Sequence, residues 1–369
     1  MPQKKTDKDY LADALEENRK QQTKLVLQQR EIAKLHKEND SAEKVRTEIY
    51  DLAAMVPDPP TWINPKHHMS SHSNGVPVTI WSDFHWGERV FPTQVGGVND
   101  FNRRIAATRL KRLVDATIDL TLHHMVHPVY PGIVICLGGD LITGAIHEEL
   151  AETNDGTVQQ ALIDVQENLI TALTKMADKF GKVFVPCVVG NHARDTIRPR
   201  FKNATFHSYE WNLYHQLKSY FRDDPRLEFF IPDEVDASFT VLGHHFLLTH
   251  GDNLGVQGGD GIIGAIGPIA RGTFKLGRQM RQVGKDFDTL LAGHYHTRMP
   301  RGDAVPAVFN GCLIGYNEYA HLKLRVPYSR PSQELFFINA KRGFTASWPI
   351  YLDDKRQATD KAKWCEVLK

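Results

Sequence analysis

Val183-Phe184-Val185-Pro186-Cys187-Val188-Val189-Gly190-Asn191-His192 is an apolar run that ends abruptly in an amide and an imidazole. The run is too short for a core helix, is rich in β-branched residues and is bounded by glycine, so it predicts a buried strand. The same grammar recurs on either side. Ile133-Val-Ile-Cys-Leu137 runs into Gly138-Gly139-Asp140, and Val78-Thr-Ile-Trp-Ser82 runs into Asp83-Phe84-His85. Downstream, Phe246-Leu-Leu-Thr249 meets His250, and Thr289-Leu-Leu291 precedes Gly293-His294-Tyr295-His296. Residues 101–124 and 158–179, between the early runs, carry helical periodicity. Buried strands alternating with amphipathic helices predict an α/β sheet sandwiched by helices.

Ligands of α/β sheets bind beyond the carboxyl ends of strands, so these five polar termini are expected to converge on one crevice. One Asp or His alone would be an ordinary satisfied polar group; five clusters, each at a strand end, are not readily coincidental. Imidazoles, carboxylates and one amide, with no thiolate, suit manganese, iron or zinc and not an all-oxygen calcium site. Asp83-x-His85 and His294-x-His296 each put two donors on one short loop. Asp140, a single carboxylate, is able to bridge two ions at the ~3.5–4 Å separation of two-metal hydrolysis.

Asp83-x-His85, Gly139-Asp140, Gly190-Asn191-His192, His250 and Gly293-His294-x-His296 together resemble the ordered motif set of the calcineurin-like metallophosphoesterases, over residues 78–320. The resemblance implies a four-layer α/β/β/α sandwich and two divalent ions, manganese first and iron, zinc or magnesium as alternatives. It implies one metal held by Asp83, His85, Asp140 and His296, and a second held by Asp140, Asn191, His250 and His294. It further implies hydrolysis of a phosphodiester by a bridging hydroxide, with His192 contacting the phosphate and protonating the leaving oxygen. The chain departs from the family's Ser/Thr phosphatases, having Thr143-Gly144 where they carry Asp and Arg, and Ala193-Arg194 where they carry Glu first. It also lacks the histidine that the family's repair nucleases carry at the place of Thr143. His147 is a candidate substitute and Asp195 a candidate partner for orienting His192.

Three basic segments surround the motifs: Arg103, Arg104, Arg109, Lys111 and Arg112; Arg194, Arg198, Arg200 and Lys202; and Arg271, Lys275, Arg278, Arg281 and Lys285. They suit a polyanion, and Arg194, Arg278 and Arg281 are the substrate-binding candidates. The last five share one face if the segment is helical, although Gly272, Gly277 and Gly284 weigh against a helix. Gly251 to Gly272 holds eight glycines and predicts a permissive loop, either a substrate-gated lid or plain surface. The leading functional expectation is a nuclease acting on DNA. A phosphodiesterase for cyclic or pyrophosphate-linked small nucleotides is the alternative, and a non-catalytic scaffold of the same fold the third.

The remaining chain frames this core. Of 369 residues, 41% are hydrophobic and 24% charged, enough for a large core. The net charge of +1 excludes a histone-like or strongly acidic protein. Cys136, Cys187, Cys312 and Cys365 form no CxxC pair and read as reduced thiols. With no membrane-length apolar run and no signal-peptide core at the start, the expected location is cytoplasmic, without a membrane partner. Residues 1–55 lack glycine, and their helical periodicity predicts a helical arm, a coiled coil among the options, serving homo-oligomerisation or a partner protein. Residues 56–77 read as a Pro/His-rich linker, with His67, His68 and His72 a weak metal candidate; residues 78–352 as the phosphoesterase domain; and residues 353–369 as a polar tail.

Overall fold

The computed structural model describes residues 75–126, 128–254 and 266–353, together with Arg19, Gln22 and Gln29, which are helical. The rest of the predicted arm, the linker histidines, residues 255–265 of the glycine-rich segment and nearly all of the predicted tail lie outside the described residues.

Two sheets form the centre. The six-stranded sheet has the order β10 (Gly343–Tyr351), β9 (Ser332–Asn339), β1 (Val76–Trp81), β2 (Ile133–Leu137), β3 (Val183–Pro186) and β4 (Leu227–Phe230). Strands β1 to β4 run parallel, β9 pairs antiparallel with β1, and β10 pairs antiparallel with β9. The four-stranded sheet has the order β5 (Ala237–Val241), β6 (His244–Leu248), β7 (Thr289–Ala292) and β8 (Ala307–Phe309), with β6, β7 and β8 parallel.

Period-two alternation assigns each strand's side chains to a layer. Ile133, Ile135 and Leu137 pack outward on helices, whereas Val134 and Cys136 face inward to meet Phe246, Leu248 and Leu291 of the second sheet. The outer helices are α1 (Arg103–Leu122), α3 (Val158–Phe180) and α4 (Tyr209–Tyr220); short α2 (Glu148–Thr153) lies between the first two in sequence. On the far side Leu247, Leu290 and Phe309 pack on Ile269 and Met280 of α5 (Ile266–Gln282). The expected four-layer α/β/β/α sandwich is the architecture observed. Among the described residues no helix is long and apolar enough to cross a membrane.

Caps set the helix starts. The Asn102 side chain accepts from the Ile105 amide, and Thr157 with Gln160 forms a reciprocal capping box, each worth about 1 kcal/mol. The segment after Gly251 departs from its sequence reading. Helix α5 begins at Ile266 and runs through Gly267, Gly272 and Gly277. Burial of Ile269 and Met280 against the sheet offsets the ~1 kcal/mol that each glycine costs a helix.

The first basic segment also departs from expectation, because α1 uses its cations internally. Arg109 is buried and donates to the carbonyls of Leu313 (2.8 Å) and Ile314 (2.6 Å) and to Asn99 Oδ1 (2.7 Å). Arg112 donates to the Leu352 carbonyl, Lys111 pairs with Asp115, and Arg103 lies 3.8 Å from both Asp155 and Asp164. Arg103, Arg109 and Arg112 thus tie the helix to its surroundings, while Lys111 pairs within the helix.

Candidate metal centre

The loops after β1, β2, β3, β6 and β7 meet at one edge of the sandwich, stitched by their own backbones. Asp83 N–H donates to the Gly139 carbonyl (2.9 Å), His85 N–H to the Asp140 carbonyl (3.0 Å) and Gly293 N–H to the His250 carbonyl (2.8 Å). The glycines in Gly-Asn and Gly-His have a steric reason. A Cβ at Gly190 would sit 2.1 Å from Asp140 Oδ1, and one at Gly293 would sit 2.3 Å from Asp83 Oδ2. Any side chain there would displace a candidate ligand.

Side chains from both sheets converge in three overlapping clusters: Asp83, His85 and His296; His85, Asp140 and His192; and Asp140, His250 and His294. Within each cluster one ligand atom per residue lies within 4.8 Å of the others. His250 Nε2 is 3.0 Å from Asp140 Oδ2 and 3.2 Å from Asn191 Oδ1, which brings the amide in as well. His296 Nε2 is 3.4 Å from Asp83 Oδ1 and 3.0 Å from His85 Nε2. All eight motif residues read from the sequence are therefore in one place.

Hydrogen bonds aim them. Carbonyl oxygens only accept, so His250 Nδ1–H donates to the Gly138 carbonyl (2.9 Å) and His192 Nδ1–H to the Thr143 carbonyl (3.2 Å). Both rings thereby turn Nε2 toward the cluster. The backbone carbonyl of Thr143 orients His192, whereas Asp195 instead pairs with His207 at 3.1 Å. The His147 ring stands 5.7 Å from that of His192. The carboxylates are fixed from behind: His192 N–H and His294 N–H donate to Asp140 Oδ1 and Asp83 Oδ1, each at 2.8 Å.

Backbone strain marks the same residues. Among the described residues, eight non-glycine positions have positive φ, and five of them are Asp83 (55°), His85 (51°), Asp140 (52°), His294 (67°) and His296 (53°). Each costs roughly 1–2 kcal/mol and persists only where surrounding contacts over-determine it.

Burial, then the neighbouring His192, holds His85 well below the usual imidazole range; burial and His250 push His294 down to about 4. Burial opposes charge on Asp140 and His250 alike, yet their contact prevails, with Asp140 held well below the carboxylate range and His250 raised. Two imidazole nitrogens face each other across 3.0 Å, and buried His85 Nδ1 has no hydrogen-bond partner, its neighbour Glu88 Oε2 lying 3.5 Å away. Imidazole, carboxylate and amide donors gathered this closely fit divalent ions with nitrogen and oxygen ligands.

Sequence reasoning missed the supports. Fully buried Glu210 on α4 accepts from the backbone N–H groups of Leu141 and Gly190, the residues flanking Asp140 and Asn191. Burial and Asp140 raise its pKa to about 7. Glu88, also raised to about 7 by burial, accepts from Asn317 and Thr143. Ser82 donates to Asp83 and receives from Asn310 Nδ2 (2.9 Å), which also binds Gln333. Only their nearness to motif residues in the fold distinguishes them, and no spacing rule reaches that.

The substrate-binding candidates make contacts of their own. Arg194 donates to the carbonyls of Thr196 (2.9 Å) and Ile197 (3.0 Å), and Arg281 lies 3.3 Å from Asp286. Lys285 pairs with Glu234 at 2.7 Å, an acid from another part of the chain. Arg271, Lys275 and Arg278 have no ion-pair partner among the described residues and line an open groove with Phe274, Gln279 and Gln282.

No family model and no curated protein sequence matches the chain. Among solved structures, a dimetal phosphatase from Danio rerio aligns with TM-score 0.36 and 11% identity over 75% of this chain and 99% of its own. A protein described as a 5'-nucleotidase from Staphylococcus aureus, in complex with alpha-ketoglutarate, aligns with TM-score 0.29 and 10% identity over 78% of this chain and 56% of its own.

Proposed function

We propose that this chain is an enzyme, a metal-dependent phosphoester hydrolase of the calcineurin-like metallophosphoesterase type, that cleaves phosphodiester bonds in nucleic acid, with DNA the expected substrate. The observation that carries the reading is the convergence of Asp83, His85 and His296 beside Asp140, His250 and His294, with ligand atoms within 4.8 Å in each group. Asp83, His85, Asp140 and His296 would hold one divalent ion; Asp140, Asn191, His250 and His294 would hold the other. Such ions supply Lewis acidity to phosphoryl oxygens and activate water near neutral pH. Imidazole, carboxylate and amide donors suit manganese, iron or zinc, with manganese the expected ion.

The protein's own part is positional. Thr143 holds His192 through Nδ1, which leaves Nε2 as the atom that exchanges a proton with the leaving oxygen. Burial lowers the His192 pKa, and the Asp140 carboxylate opposes that fall. Arg271, Lys275 and Arg278 offer unneutralised charge to a phosphate backbone.

The test is hydrolysis by manganese-loaded protein of single- and double-stranded DNA, RNA, cyclic nucleotides, and chromogenic phosphodiesters and monoesters. Cleavage of DNA and the chromogenic diester is expected. Turnover of monoesters alone would overturn the phosphodiesterase reading, and turnover of cyclic nucleotides without DNA would replace the nuclease by a small-nucleotide enzyme.

A further inference from the structure

The loop that leaves the site directly after His192 is closed tightly at its base and open at its tip. Arg194 and Ser208 form an antiparallel bridge, Asp195 N–H donates to the His207 carbonyl (3.0 Å), and Tyr209 N–H donates to the Ala193 carbonyl (2.9 Å). Inside the loop the Arg194 guanidinium ties down the carbonyls of Thr196 and Ile197, and Thr196 Oγ1 donates to the Arg198 carbonyl (2.9 Å). Pro199 removes a further backbone freedom beside them.

What this frame presents is unusual for a surface loop. Phe201 is 94% exposed and Ile197 79% exposed, and Arg198, Arg200 and Lys202 are exposed around them. The loop's one acid, Asp195, is paired with His207, so among the described residues no carboxylate neutralises the three tip cations. A single exposed Phe is common on proteins. A phenyl ring flanked by cations, on a braced loop that starts beside the proton-exchanging His192, has a more specific chemistry. An aromatic face stacks on a nucleobase while adjacent cations take its phosphates. In a duplex the base faces are already stacked on one another, so only an unpaired base can use the ring.

We propose that the Arg194–Ser208 loop is a stacking platform for an unpaired nucleotide, with Phe201 under the base and Arg198, Arg200 and Lys202 along its phosphates. This rests on the nucleic-acid reading above and narrows it to single-stranded or locally opened substrate.

The experiment compares wild type, Phe201→Ala, Phe201→Tyr and the double variant Arg200→Ala with Lys202→Ala, all full-length and manganese-loaded. Cleavage and anisotropy binding are measured on a single-stranded oligonucleotide, its duplex and a chromogenic diester. Phe201→Ala should lower single-strand kcat/KM relative to the diester by about 5- to 100-fold, the loss of one base stack. Phe201→Tyr should restore most of it, because a second aromatic face suffices. The double variant should reduce the salt slope of single-strand binding by about 0.7 per lost phosphate contact. Wild type that cleaves nucleic acid while Phe201→Ala keeps its single-strand preference overturns the loop's role alone. A changed oligomeric state in Phe201→Ala, with single-strand affinity intact, also overturns it and makes the tip a protein contact. Wild type that turns over the diester yet neither binds nor cleaves any oligonucleotide overturns the nucleic-acid reading itself, and this platform with it.

Discussion

At the scale of single residues, the centre combines strain with shared contacts. Five candidate ligands sit in left-handed backbone, and Asp140 takes part in two of the three clusters. Asp140→Asn removes the shared charge, so elemental analysis should find less than one metal per chain; two retained ions would show that Asp140 does not bridge. His192→Ala leaves the proposed ligands in place and should keep its metal while losing about 10²–10⁴-fold in turnover. That loss should shrink on diesters with good leaving groups, which need less protonation, and a uniform loss would assign His192 to phosphate binding instead. Glu210 braces the site, since both its oxygens receive backbone N–H groups beside candidate ligand residues. Glu210→Gln turns one oxygen into a donor facing a donor, and should cost about 1–3 kcal/mol in denaturant unfolding. Unchanged stability would mean that those amides find other partners.

At the scale of elements, legibility followed burial. β2 and the turn after it could be read because Ile133–Leu137 is buried on both faces and hence continuously apolar. Helix α1 could be read from its periodicity, with ends shifted by two residues where Asn102 caps it. Helix α4 was missed: its apolar positions are few, Glu210 is turned inward, and Tyr220 is exposed. The edge strand β5 was missed too, because it alternates buried and half-buried residues over only five positions. Its entry holds a testable charge. Burial raises the carboxyl pKa of Asp236 to about 6, against a favourable hydrogen bond with Thr249. A folded pKa above the unfolded one means that the native state binds the extra proton between about pH 4 and pH 6, so stability falls as pH rises through that window. Asp236→Asn keeps an acceptor and removes the charge. It should stabilise the protein at pH 7.5 by about 1–2 kcal/mol, allowing for partial solvation, and by little at pH 4. Equal gains at both values would point to a packing effect.

At the scale of the whole molecule, the sandwich brings two sheets together where their candidate ligands meet. Asp83, Asp140 and Asn191 follow strands of the six-stranded sheet, while His250, His294 and His296 follow strands of the other. The sequence could name those candidates because each ends a strand, but it could not show which termini face one another, since that depends on Phe246, Leu248 and Leu291 packing on Val134 and Cys136. A consequence is that ions bound there would cross-link the sheets, and their binding free energy would add to the stability of the sandwich as a unit. Manganese at about 100 times its dissociation constant should add roughly 2.7 kcal/mol per independent site, raising Tm by roughly 4–6 °C for one site in a domain of this size. Chelator should reverse the shift. In Asp140→Asn the manganese shift should largely vanish, because both proposed sites lose the same carboxylate, whereas in His192→Ala it should persist. Calorimetry of the three proteins with and without manganese decides the matter: an undiminished shift in Asp140→Asn would place the stabilising ions elsewhere and remove the link between the two sheets.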